Sequence, residues 1–205
     1  MKTRERILAS ALLLFNERGE PNVSTLEIAC ELEISPGNLY YHFHGKEPLI
    51  LELFEQLRAD LAPLLTPPGE SQLDAEDYWL FVHLIAEGIN AYRFLFQDLS
   101  NLSGRLPRLA HGMRLWLGQL RRALSELLNL LERQRQLRSG PEARRQLVEQ
   151  IMLTLLFSQD YQRVLAREED SRTVVYQVMM LLAPHLQEEP RQATELLARS
   201  YLTSA

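Results

Sequence analysis

The chain carries a single cysteine, Cys30, in 205 residues, which excludes an intrachain disulfide framework and any cysteine-rich zinc site. Aromatic residues make up only 8%, and no uninterrupted apolar run reaches the roughly 18–20 residues a bilayer-spanning helix needs. Sustained alternation of apolar and polar residues, the signal of a half-buried strand, is missing. So are Glu-x-x-His, His-Glu-x-x-His, Cys-x-x-Cys, Gly-x-Gly-x-x-Gly and the phosphate-loop pattern. No nucleophile stands beside a base, so the expectation is a protein that is not an enzyme, with no cofactor and no metal. Positive charge is not in excess either: the net charge of −5 argues against indiscriminate nucleic-acid binding. What remains is 46% hydrophobic and 24% charged, a composition for one or two folded domains.

The periodicity is helical almost throughout. Lys2 and Arg4 precede the apolar run Ile7–Phe15, as in a signal sequence. Glu5 and Arg6 interrupt its flank, however, and Ile7, Ala11 and Phe15 share one helical face, so an amphipathic helix over Thr3–Arg18 is expected, stopping at Gly19. One thiol and no leader fit a reducing cytoplasm. Ser24-Thr25-Leu26-Glu27 is a capping box that opens a second helix. Ser35 caps a third, with Pro36 at its first position, where a missing N–H costs nothing. His44-Gly45 breaks the chain before a fourth helix over Lys46–Leu61, and Pro63, Pro67, Pro68 and Gly69 form a linker. Asp74 caps a fifth helix. A loop is expected around Asn101, Ser103, Gly104 and Pro107, then helices over Pro107–Leu137, Glu142–Arg167 and Arg172–Leu186, and a short one beginning at Pro190.

Two short helices joined by a tight turn, the second polar and aromatic on its outer side, form the arrangement that places one helix in the major groove of DNA. Against this stands the charge of the head. Lys2, Arg4, Arg6, Arg18 and Lys46 are outnumbered by Glu5, Glu17, Glu20, Glu27, Glu31, Glu33 and Glu47. Such a head must confine positive potential to one face and rely on amides, hydroxyls and helix N-termini for phosphate contacts. Leu39 and Phe43 read as the apolar underside of the third helix. Tyr40 and Tyr41 divide between packing and DNA, with Tyr40 favoured as the contact. Cys30 reads as a small hydrophobe packed against the first helix.

The first 55 residues resemble the DNA-binding head of the TetR/AcrR family of bacterial transcriptional regulators. The matching residues are Arg6-Ile7-Leu8, Ala11, Leu14-Phe15 and Gly19, then Ser24-Thr25 and Ile28-Ala29. They continue with Ile34-Ser35, Gly37, Leu39-Tyr40-Tyr41-His42-Phe43, Lys46-Glu47 and Leu49. The resemblance implies an all-α fold, with a three-helix helix-turn-helix head over residues 1–48 and a larger helical effector-binding and dimerisation body over 49–205. It implies a homodimer on a double-stranded, near-palindromic operator, with Pro36 to His42 in the major groove, Gly37, Asn38, Tyr40 and Tyr41 among them, and Ser35 also at the DNA. Thr25 would hold a phosphate, Lys46 and His42 would hold the flanking backbone, and Arg4 and Arg6 would supply arm contacts. Asn38 offers a donor and an acceptor to an adenine edge, and a tyrosine can touch a thymine methyl.

In the body, Trp79, His83, Tyr92, Phe96, Met113, Trp116 and Phe157 supply large, partly polar walls for a small apolar or aromatic effector; the same residues can equally fill an ordinary core. Apolar residues nearly encircle the helix over Arg172–Leu186, and in Glu142–Arg167 they are wide enough to cover two directions. Leu147, Ile151, Leu155, Val174, Val178 and Leu181 are therefore either the face of an intermolecular four-helix bundle or the centre of a monomer's core. No membrane partner is expected. The expected function is a repressor released from its operator by the effector; the alternative is a helical interaction module whose head has lost DNA affinity.

Overall fold

The computed structural model describes residues 2–66, 75–166 and 170–201. The described residues form an all-α fold of eleven helices, and the sole extended pairing among them is an isolated bridge between Leu137 and Leu186. The helices are α1 (Thr3–Arg18), α2 (Thr25–Glu31), α3 (Pro36–His42), α4 (Lys46–Leu61), α5 (Ala75–Ala91) and α6 (Phe94–Gln97). They continue as α7 (Leu99–Arg105), α8 (Pro107–Arg133), α9 (Pro141–Val164), α10 (Ser171–Leu182) and α11 (Glu188–Ser200). No helix among the described residues is long and apolar enough to cross a membrane. The expected linker residues Pro67, Pro68 and Gly69, the cap Asp74 and the helix end at Arg167 lie outside the described residues.

Contacts divide the chain into two compact units, one of Met1–Asp60 with Ala91–Arg114 and one of Leu61–Asn90 with Leu115–Ala205. In the first, Ile7, Ala11 and Phe15 of α1 are each 0% exposed, on the face their spacing predicts. Full burial of a phenylalanine such as Phe15 contributes about 1.5–3 kcal/mol. Its ring meets that of Phe94 at 5.2 Å. Asn16 ties α1 to the segment before α6, donating through Nδ2 to the Ala91 carbonyl at 2.8 Å and accepting from the Phe94 amide at 3.1 Å. Tyr92 Oη donates to Asp60 Oδ2 at 2.6 Å. The start of α8 approaches α4 closely because position 112 lacks a side chain: a Cβ there would lie 2.6 Å from Phe54 Cε1.

The loop expected around Asn101 is instead helix α7. Its inward residue Leu102 is fully buried, and Asp98, Asn101 and Arg105 are bonded at helical spacing, Asn101 Nδ2 to Asp98 at 2.7 Å and Arg105 Nε to Asn101 at 3.2 Å. Ser103 and Gly104, read as breakers, sit toward its outer side and last turn.

The second unit is built on α8, α9 and α10. Trp116, Leu120, Leu124 and Leu128 of α8 recur every fourth residue and are each 0% exposed. The helix ends at Arg133 rather than Leu137, because Arg135 adopts φ 58° and turns the chain. Arg138 then donates to the His185 carbonyl at 2.7 Å and Gln187 to the Gln136 carbonyl at 2.8 Å. Pro184 converts the end of the expected Arg172–Leu186 helix into a 3-10 turn, Ala183–His185. Helix α11 begins at Glu188, with Pro190 inside its first turn.

Candidate nucleic-acid interface

Helix α2 is held at its start by the capping box: the Ser24 hydroxyl accepts from the Glu27 amide at 3.2 Å, and the Glu27 carboxylate accepts from the Ser24 amide and hydroxyl at 2.8 Å each. Those bonds, the backbone one foremost, hold the Glu27 carboxyl below the usual carboxylate range. The helix closes with two backbone bonds of the Schellman type, Ile34 N–H to Ala29 and Glu33 N–H to Cys30, both 3.0 Å. That geometry puts Glu33 at φ 55°, the left-handed region where glycine is the unstrained choice.

The turn delivers Ser35, whose Oγ accepts from the Asn38 amide at 3.1 Å and starts α3 with Pro36 at its first position. Leu39 is the buried residue of this helix, at 1% exposure, and Phe43 just after it is equally covered. Everything expected to read DNA is on the other side. Ser35, Gly37 and Asn38 are exposed, Tyr40 is 61% and Tyr41 79% exposed, and His42 is half-buried. Both tyrosines therefore face outward, not one. Tyr40 stands edge-on to His44 at 4.7 Å and Tyr41 edge-on to His42 at 5.2 Å. The α3 surface is uncharged, with hydrogen-bonding and aromatic groups suited to base edges and methyls in a groove about 12 Å wide. Gly45 turns the chain into α4 at φ 105°.

The cations of the head are less free than the sequence suggested. Arg4 pairs with Glu52 and its guanidinium lies 4.7 Å over the Phe43 ring. Lys46 is turned toward Glu20, its Nζ 2.8 Å from Oε1 and donating to the Glu20 carbonyl, also at 2.8 Å. Glu20 is 1% exposed and is held on its other oxygen by Arg105. Arg6 is exposed and Thr25, at the start of α2, half-buried. Cys30 is exposed, not packed against α1: the buried positions of α2 are Ile28 and Ala29, and Cys30 follows on the outer side. Glu20 and Arg105 were invisible as a pair, since their separation along the chain carries no periodic signal.

The aromatic residues expected to line an effector pocket fall in both units. Tyr92, Phe96 and Met113 are buried in the first unit, and Trp116 is fully buried in the second. Trp79 and His83 are brought together, rings stacked at 5.7 Å. Their link is a residue the sequence reading missed: Tyr201 Oη accepts from Trp79 Nε1 at 2.8 Å and lies 2.9 Å from His83 Nδ1. Burial, first among its causes, raises the Tyr201 phenol above its ordinary range. Also missed was Tyr78, 1% exposed, whose hydroxyl has no hydrogen-bond partner among the described residues. Phe157 is no wall: it is 42% exposed, in a surface row with Leu153, Tyr161 and Val164.

The dimer-face expectation also needs correcting. Leu147, Ile151, Leu155, Val174 and Val178 are at most 2% exposed within the single chain, and only Leu181 is half-buried. Residues the chain already covers cannot be covered again by a partner. The outward apolar row of α9 lies instead at 153, 157, 161 and 164, a second stripe of the same helix, with Met180 of α10 also exposed. Among the described residues no cluster of His, Cys, Asp and Glu could hold a metal ion.

A compact three-helix head presenting an uncovered helix after a capped turn defines a helix-turn-helix DNA-binding protein. Comparison with known sequences agrees: residues 7–53 match the bacterial regulatory proteins of the tetR family, and residues 56–194 match the TetR class of bacterial transcriptional repressors. The chain belongs to the TetR family of transcriptional regulators. The transcriptional regulator UidR of Escherichia coli K12 is 44% identical over 54 residues, 26% of this chain and 28% of its own length. The matched stretch thus spans little more than a quarter of that relative. A TetR-family regulator from Marinobacter aquaeolei VT8 is similar over 98% of this chain and 99% of its own, with 31% identity and a TM-score of 0.90. The fold is also that of CprB from Streptomyces coelicolor, solved with its operator sequence, at 23% identity, TM-score 0.68 and 97% and 95% coverage.

Proposed function

We propose that this TetR-family regulator is a cytoplasmic homodimeric repressor that reads a near-palindromic operator with paired α3 helices and is released by a small apolar or aromatic effector. The observation that carries the reading is the outer face of α3: Asn38, Tyr40 and Tyr41 are left uncovered on a helix whose inner side is anchored by Leu39. Large aromatics held in water at 61% and 79% exposure are an uncompensated apolar surface that a groove would cover. CprB, which shares the fold, was solved on its operator.

An effector that releases DNA must bind the DNA-incompetent state better than the competent one. The Tyr78 hydroxyl in the body, without a hydrogen-bond partner among the described residues, supports such a ligand, since a buried phenol left so is a group that a bound molecule could satisfy. Dimerisation is assigned to the Leu153, Phe157, Tyr161 and Val164 row of α9, at about four-residue spacing, with Met180 exposed on the next helix, α10.

The test is selection of bound duplexes from a random pool by the purified protein, followed by sequencing. A near-palindromic motif is expected, and Tyr40→Ala should lose that motif while keeping wild-type helicity. No enrichment at low salt would overturn the reading in favour of a protein-interaction module, and retained tight binding by Tyr40→Ala would overturn the placement of α3.

A further inference from the structure

The buried carboxylate of Glu20 lies on the 3-10 turn between α1 and α2 and is shared by two cations from separate helices. Lys46, the first residue of α4 and close after the recognition helix, sits 2.8 Å from Oε1; Arg105, the last residue of α7, places Nη2 2.5 Å from Oε2. The Glu20 side chain is 0% exposed, while those of Lys46 and Arg105 are 28% and 45% exposed. Charge arithmetic follows directly. With both cations present the group carries one net positive charge at the surface beside α3; with Arg105 withdrawn it carries none, and Lys46 becomes the sole counter-ion of a buried carboxylate.

We propose that Arg105 is a positioning residue for DNA binding. By neutralising Glu20 it leaves the Lys46 charge available to an operator phosphate, and it acts through Glu20 rather than by touching DNA. This rests on the operator-binding reading above. Lys46 makes one hydrogen bond to Glu20, from Nζ to the carbonyl, and an ion pair with Oε1, and its remaining donors are left for phosphate. Arg105 is aimed by its own helix: its Nε donates to Asn101, which donates to Asp98. A shift of α7 therefore carries Arg105 with it. Leu106 and Pro107 link α7 directly to α8, which runs on past Arg114 into the chain of the second unit.

The experiment measures affinity for the duplex enriched by the wild-type chain as a function of salt, for Arg105→Gln, Glu20→Gln and the double variant. Losing one phosphate contact lowers the salt slope by about 0.9 per head, which is about eightfold weaker binding per head at ~0.1 M salt relative to ~1 M. Arg105→Gln should show that loss, and Arg105→Lys should restore most of it. In the Glu20→Gln background, where no buried carboxylate captures Lys46, Arg105→Gln should change neither affinity nor slope. Equal losses in both backgrounds would mean that Arg105 meets phosphate itself and would overturn the proposal, as would no loss in the single variant. Thermal melts report whether each variant folds. Should Arg105→Gln not fold, Glu20→Gln alone decides: freed Lys46 must keep or raise affinity, and a weakened complex overturns the proposal. Failure of the wild-type chain to enrich any duplex would instead overturn the operator reading on which it stands.

Discussion

Replacing Glu33 by glycine tests the geometry of the helix-turn-helix turn. Glu33 is exposed and sits at φ 55° between α2 and α3, where its amide closes on Cys30 and that of Ile34 closes on Ala29, both at 3.0 Å. A residue with a Cβ in the left-handed region carries about 1–2 kcal/mol of strain. Glycine removes that strain but adds about 0.4–1 kcal/mol of unfolded-state entropy to be lost on folding. The net expectation is stabilisation by about 0.5–1 kcal/mol, or roughly 1–4 °C in Tm for a chain of this size. Urea and thermal melts followed by circular dichroism measure it. Glu33→Ala is the control, since it removes the carboxylate and keeps the strain, and it should show no gain. If Glu33→Gly is no more stable than wild type, or if Glu33→Ala gains as much, the strain argument is refuted. DNA binding should be unaffected, because the turn keeps its backbone bonds.

Two further outcomes follow from burial. Phe157→Asp, on the exposed row of α9, should turn a sedimenting dimer into a folded monomer, whereas a dimer that survives the change excludes this row as the interface. The Tyr78 and Tyr92 phenols are raised above their ordinary value, Tyr78 by burial and Tyr92 by burial first and then by its bond to Asp60. Below the unfolded-state pKa of about 10 their contribution to stability is fully present. Above it the unfolded chain releases protons that the folded chain keeps, so stability falls as pH rises toward the folded values. Urea midpoints across about pH 9–11 should therefore drop in wild type and drop less in Tyr78→Phe; equal slopes would contradict the assignment.

The helical class, the head and its third helix were legible because they are local. Ser24 with Glu27 and Ser35 with Pro36 are start signals whose bonding partners lie within a few residues, and the structure makes those bonds. The stripe Ile7, Ala11 and Phe15 likewise needed only helical spacing. Local reading failed where a breaker was outvoted by packing, as at Gly104, where Leu102 and the Asp98–Asn101–Arg105 bonds keep α7 helical. It failed too on α9, which carries two apolar stripes. Spacing counts both alike, and only the packed chain shows that Leu147, Ile151 and Leu155 are inside while Leu153 and Phe157 are out.

By itself the sequence determined that this chain is helical, that its first residues form a capped helix-turn-helix, and that Asn38, Tyr40 and Tyr41 belong to its third helix, because caps, spacing and turn chemistry act over a few residues. Only the tertiary structure decided the partners of charge. Lys46 and Arg4 look like free cations along the chain, yet Lys46 meets Glu20, which also holds Arg105, and Arg4 meets Glu52. An ion pair is set by distance in space, and no periodicity of the chain encodes which distant carboxylate will be brought within 3 Å of a given lysine.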